Sequence, residues 1–305
     1  MTGNSDTSGP AADFRAGFVN IIGRPNVGKS TLINALVGQK ISIVSPKAQT
    51  TRHRIIGILS GPDYQIVFSD TPGMIRPAYR MQEAMMQFVK QAMEDADVLM
   101  YMTDVHLIDR EDAEAIGKLA ESGKPFFFLI NKIDQAEAAQ VKDWVEKWQA
   151  RLPGARVFPI SALHGVGVAG IVPEIVKHLP VHPPFYEEGQ VTDRTERFLI
   201  SEIIREKIFH LLRQELPYST EVVVRRMAET EAGIVEIDAE IFVNKKSQKP
   251  ILIGKGGRRL KEIGTLARKE IEALLGKPVY LRTHIKVREG WRDDPRYLRQ
   301  FGLEG

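Results

Sequence analysis

The residues best suited to chemistry lie in Gly23-Arg-Pro-Asn-Val-Gly28-Lys29-Ser30. Their spacing is GxxxxGKS, directly after the apolar run GFVNII and directly before a helical pattern that starts at Lys29. Gly23 and Gly28 let the backbone curl, so that the N–H groups of Asn26, Val27, Gly28, Lys29, Ser30 and Thr31 can converge on phosphate oxygens at a helix N-terminus. Lys29 adds a mobile positive charge and Ser30 a hydroxyl able to ligate Mg2+. Three later segments choose among nucleotides. Asp70-Thr-Pro-Gly73 closes the run YQIVFSD, where the Asp70 carboxylate can hold a magnesium-bound water and the Gly73 N–H can meet a γ-phosphate. Asn131-Lys132-Ile-Asp134 ends the buried run FFFLI, and Asp134 can accept hydrogen bonds from the N1–H and N2 amine of guanine. Adenine lacks that donor pair and would leave the carboxylate unpaired. Ser161-Ala162-Leu163 follows RVFPI, with the Ala162 N–H expected at guanine O6 and Ser161 bracing the site. Each short segment is an ordinary turn by itself; their order gives them meaning.

The elements that must position these residues follow from periodicity. From Ala16 onward, short apolar runs alternate with helical patterns near 81–93, 110–120, 136–150 and 168–178, which implies a largely parallel sheet covered on both faces, ending near Leu179. Pro180, Pro183 and Pro184 then mark a linker, residues 181–194. Residues 195–216 form an amphipathic helix ended by Pro217. Two alternating stretches, 221–227 and 234–243, suggest an antiparallel pair. A glycine-rich turn, a helix over 258–275 and a strand over 278–287 complete the pattern. The expected organisation is a leader at 1–13, an α/β domain at 14–180, the linker, an α+β domain at 195–295 and a tail at 296–305.

Composition narrows the classes. With 305 residues, 43% hydrophobic and 27% charged, the chain can bury two cores. It has no cysteine, so disulfides and thiol catalysis are excluded. No apolar run approaches the length of a membrane-spanning helix, and the first residues lack the pattern of a secretion signal. Net charge is +3, yet residues 241–300 hold 16 basic against 6 acidic residues, which suggests a polyanionic partner. Within that stretch, Gly254-Lys255-Gly256-Gly257-Arg258-Arg259 combines a GxxG turn, which lets a nucleic-acid backbone approach closely, with three cations for its phosphates. Ile251, Ile253, Leu260 and Ile263 are core or groove residues.

The four ordered nucleotide segments resemble translation-factor-type P-loop GTPases, over about residues 16–180. By that resemblance Gln49-Thr-Thr-Arg-His53 matches the first switch, with Thr51 as second magnesium ligand and Thr50 the competing candidate; residues after Gly73 match the second. Lys29, Thr51 and Gly73 are then the catalytic set. One departure matters: Ras-like enzymes have a water-orienting glutamine after the Asp-x-x-Gly glycine, whereas Met74 stands here and cannot play that part. The resemblance is instead to GTPases with an apolar residue there, several of which use K+ held by a phosphate-loop asparagine; Asn26 matches it. The GxxG turn within an α-β-β-α-β order resembles a type II KH domain, a module that clamps single-stranded RNA or, as an alternative, single-stranded DNA.

A GTPase followed by a type II KH domain resembles the Era family of ribosome-associated GTPases, including Glu215-Leu-Pro-Tyr-Ser219 and Gly290-Trp-Arg-Asp-Asp294. The resemblance implies GTP/GDP and Mg2+ as ligands, binding near the 3′ end of 16S ribosomal RNA, and a part in 30S subunit maturation. It also implies a monomeric cytoplasmic protein with a peripheral fraction on the inner membrane, although no lipid anchor or basic amphipathic helix is seen to secure one. The alternative is an RNA-binding chaperone whose affinity GTP gates and whose turnover is incidental.

Overall fold

The computed structural model describes residues 13–304, so the expected leader lies outside the described residues apart from Asp13. Two compact units emerge. One holds the described residues up to Ile41, Arg54–Thr71 and Lys90–Asp193; the other holds Ser42–His53, Pro72–Val89 and the described residues from Arg194 onward.

The first unit is a six-stranded sheet of β1 (Arg15–Ile22), β2 (Ile55–Ser60), β3 (Tyr64–Asp70), β4 (Val98–Asp104), β5 (Phe126–Asn131) and β6 (Arg156–Pro159), in the order β2, β3, β1, β4, β5, β6. Only β2 runs antiparallel, against β3. Its helices include α1 (Lys29–Val37), the end of α2 (Arg80–Asp95), α3 (Ala113–Ala120), α4 (Ala138–Arg151) and α5 (Ile171–His178). Strands buried on both faces need continuous apolar sequence, and β4 and β5 are buried along their whole length. β1 has β3 on one side and β4 on the other, so the loop after β1 opens at the point where strand order reverses, where ligands of open α/β sheets bind.

The segment expected as a linker is tied to this unit. The Phe185 and Tyr186 N–H groups donate to Gln65 Oε1, the Phe185 ring packs tilted at 4.8 Å against Phe18, and Thr192 Oγ1 donates to the Ile56 carbonyl. Its backbone covers the open edge of β2, a common solution for an edge strand.

The second unit contains α6 (Glu196–Leu211), β7 (Thr220–Glu229), β8 (Val235–Val243), α7 (Gln248–Ile253), α8 (Arg258–Leu275), β9 (Val279–Val287) and α9 (Pro295–Gln300). β7 is antiparallel and β9 parallel to β8. A parallel neighbour requires a crossover, which α7 and α8 supply. Ile237, Ala239 and Ile241 of β8 face a core shared with Ile200, Ile204 and Ile208 of α6 and Ile263, Ala267 and Ile271 of α8. Helix α7 was not anticipated: Pro250 sits in its first turn, where the missing N–H costs no helical bond. The described part of the expected tail, residues 296–304, contributes Leu298, Phe301 and Leu303 to a core with Trp291, Phe242, Met81 and Met85. Among the described residues no helix is long and apolar enough to cross a membrane.

Candidate functional site

In the first unit the phosphate loop takes the shape that its glycines permit. Gly23, Asn26 and Gly28 have φ of 152°, 67° and 106°, a region that L-residues with a Cβ rarely enter. A Cβ on Gly23 would collide with the Met102 carbonyl, and one on Gly28 with the Asn131 amide. Helix α1 begins at Lys29 without a side-chain cap and with no acidic residue in its first turn, so its first N–H groups face the loop as an anion site.

Lys29 is 6% exposed and its Nζ donates to the carbonyls of Gly23 and Arg24 at 3.2 and 3.1 Å. Burial pushes its ammonium down to about 8, partly opposed by the Asp70 carboxylate. Phosphate oxygens would restore the charge, so the complex holds more protons than the free protein above about pH 8. Nucleotide affinity is therefore expected to fall as pH rises beyond about 8, by up to about tenfold per pH unit. Calorimetric titrations between about pH 7 and 9 check it; a flat profile counts against a buried Lys29 as the phosphate cation.

Ser30 Oγ donates to Asp70 Oδ2 at 2.7 Å, and Asp70, at the end of β3, is fully buried. Two hard oxygens in contact at the phosphate end fit Mg2+, which takes few protein ligands and completes its shell with water and phosphate. Thr51 and Gly73 fall in the other unit, Thr51 buried at 9% exposure.

The base end is built on Asn131. Its Nδ2 donates to the Val27 carbonyl at 2.7 Å and its Oδ1 accepts from the Ala162 N–H at 2.9 Å, so one buried amide ties the phosphate loop to the loop after β6. Here the structure departs from the expectation: the Ala162 N–H, assigned to guanine O6, is engaged by Asn131. Lys132 takes φ 63° and pairs with Asp104, which turns the chain sharply before Asp134. Asp134 stands at the open rim. Ser161 Oγ donates to its Oδ1 at 2.5 Å, and that bond holds the carboxyl below the usual range, aided by His164. It is thus an ionised acceptor with fixed orientation. Leu163 is 73% exposed beside it.

In the second unit the GxxG turn joins α7 to α8. Gly254, Gly256 and Gly257 have φ of 73°, 60° and 76°, and a Cβ on Gly256 or Gly257 would meet nothing within 4 Å. That open space leaves room for a polymer backbone. Lys255, Arg258 and Arg259 are exposed around it; Arg259 also donates to the Ile251 carbonyl at 3.1 Å. α8 starts without a side-chain cap or acidic first-turn residue, so its first N–H groups add to the positive charge of this turn. Ile263 is fully buried and Ile251 half exposed, which separates a core residue from a surface one.

Arg52 and His53, which the sequence places in the first switch without a role of their own, are both buried. Arg52 is fully buried against Glu221 at 2.7 Å. Burial lowers the pKa of His53, which stacks edge-on at 5.2 Å to Phe198. Nothing in the local sequence signals this, because the partners lie over a hundred residues away.

Family models match the chain in two places: "50S ribosome-binding GTPase" over residues 18–132 and "KH domain" over 215–292. Solved structures of Era match along almost all of it. One is Era in complex with MgGDPNP and nucleotides 1506–1542 of 16S ribosomal RNA, 41% identical, covering 96% of this chain and 100% of that one, TM-score 0.91. Another is a variant of Aquifex aeolicus Era bound to GDP·AlF4−, 40% identical with the same coverage and TM-score.

Proposed function

The chain belongs to the Era family of GTPases, and on that premise we propose that it is a GTP-driven switch whose KH unit binds the unpaired 3′-end region of 16S ribosomal RNA during 30S subunit maturation. The observation that supports this most is the full-length match to an Era–RNA complex, in a chain that pairs a guanine-type carboxylate, Asp134, with an open, cationic GxxG turn.

The residues divide the work. The N–H groups of the phosphate loop and α1 bind phosphates, Lys29 lies across them, and Asp134 selects the base. Ser30, Thr51 and, through water, Asp70 would hold Mg2+, which neutralises charge on the β- and γ-phosphates when bound. The Gly73 N–H meets the γ-phosphate. Because Met74 cannot orient water, rate depends on charge stabilisation. K+ held at Asn26, whose left-handed backbone sits inside the phosphate loop, would add positive charge there. Hydrolysis is expected to be about tenfold or more faster in K+ than in Na+ at matched ionic strength; equal rates refute that cation site. A fraction bound to the inner membrane belongs to the proposal too, carried by the family rather than by any anchor among these residues.

Filter binding with a 16S 3′-end oligonucleotide, against the same bases scrambled, tests the RNA reading. At one stated salt concentration the native order should bind at least about tenfold tighter. Equal affinity would leave a non-specific polyanion contact and overturn the assignment.

A further inference from the structure

The segment that carries Thr51 is built into the RNA-binding unit. Arg52 is fully buried, and its Nη1 donates to the Thr220 carbonyl at 2.6 Å and to Glu221 Oε2 at 2.7 Å. Its Nη2 reaches the carbonyls of Pro217 at 3.2 Å and Tyr218 at 3.1 Å. Rings of Phe209 and Trp291 flank the guanidinium at 5.9 Å each. Arg205, equally buried, donates through Nη2 to the Thr50 carbonyl at 2.5 Å and is paired with Glu202. The group immediately before Thr51 is thus held by α6, and the one immediately after it by the residues that lead into β7. Upstream, the Val44 N–H donates to Glu206 Oε1 at 3.0 Å, and Lys47 Nζ is bonded to the carbonyls of Phe209 and Leu212. Downstream, Ile55 pairs in register with Asp70, only four residues beyond Thr51.

Two arginines and two glutamates with side chains at most 5% exposed form a costly arrangement. Compared with apolar packing, a buried ionic cluster contributes little net stability; what it specifies is geometry. We propose that Arg52 is a positioning residue for Thr51: with Arg205 it fixes the backbone on both sides, so the magnesium-ligating segment is ordered before the triphosphate arrives. Ordering that segment in advance removes entropy that γ-phosphate binding would otherwise have to offset. By linkage, the triphosphate must stabilise the cluster in return. The proposal rests on the reading of Thr51 as a magnesium ligand.

The test uses the full chain and the Arg52→Lys substitution, which keeps the charge and loses the fork. GDPNP affinity in Mg2+ is expected to fall about tenfold while GDP affinity stays unchanged. An unchanged GDPNP/GDP ratio, or an equal loss for both nucleotides as from a merely structural role, overturns the proposal. Thr51→Ala is measured alongside. If it too leaves the ratio unchanged, the ligand reading falls and the proposal with it; if it lowers the ratio and Arg52→Lys does not, only the positioning role falls. Should Arg52→Lys fail to fold, NMR of the unaltered protein decides: the Arg52 guanidinium N–H should exchange more slowly with GDPNP than with GDP, and equal exchange overturns the proposal.

Discussion

Replacing Lys29 with alanine is expected to abolish measurable GTP turnover and to weaken GTP binding by on the order of 100-fold or more. The ammonium is buried, spans the loop between the Gly23 and Arg24 carbonyls, and lies near Asp70. In so dry a place a charge aimed at phosphate oxygens acts with far less screening than it would in water. Alanine would remove the cation and leave those two carbonyls facing the phosphates with no donor between them. Phosphate release and calorimetry read the two effects. Wild-type affinity in the variant would show that the loop N–H groups alone carry phosphate binding.

Asp134→Asn should cost on the order of 1000-fold or more in GTP affinity and shift preference to xanthine nucleotides. The Ser161 hydroxyl would still hold one oxygen of the side chain, so the amide should present its N–H2 where guanine also presents donors. Xanthine carries a carbonyl at that position and would accept the bond. Paired titrations with GTP and XTP measure the exchange, and unchanged GTP affinity refutes the role of this carboxylate.

The nucleotide segments could be read from sequence because each is a short contiguous turn at the end of an apolar strand, where composition and position dictate the backbone. Gly28 and the Lys132 bend belong to this kind, as does the GxxG turn at the head of α8. Other features depend on contacts between distant residues and leave no local trace. Asn131 binds both Val27 and Ala162, which no reading of its own turn could reveal. Arg52 finds Glu221 at a separation of 169 residues, and its neighbours in sequence look like a loop. The proline-rich stretch after Leu179 has a linker's composition, yet Gln65 satisfies its N–H groups and Phe18 takes its aromatic ring. Charged residues in 291–304 mask the spacing of Trp291, Leu298, Phe301 and Leu303, which fill a core only once α2 is beside them.

The measurement that bears most directly on a nucleotide-driven switch is the affinity of the full chain for the 16S 3′-end RNA, taken once with GDPNP and once with GDP at a single salt concentration. The two affinities should differ by about fivefold or more, the lower end of ordinary coupling between sites. Indistinguishable affinities would mean that the RNA-binding unit does not sense the nucleotide.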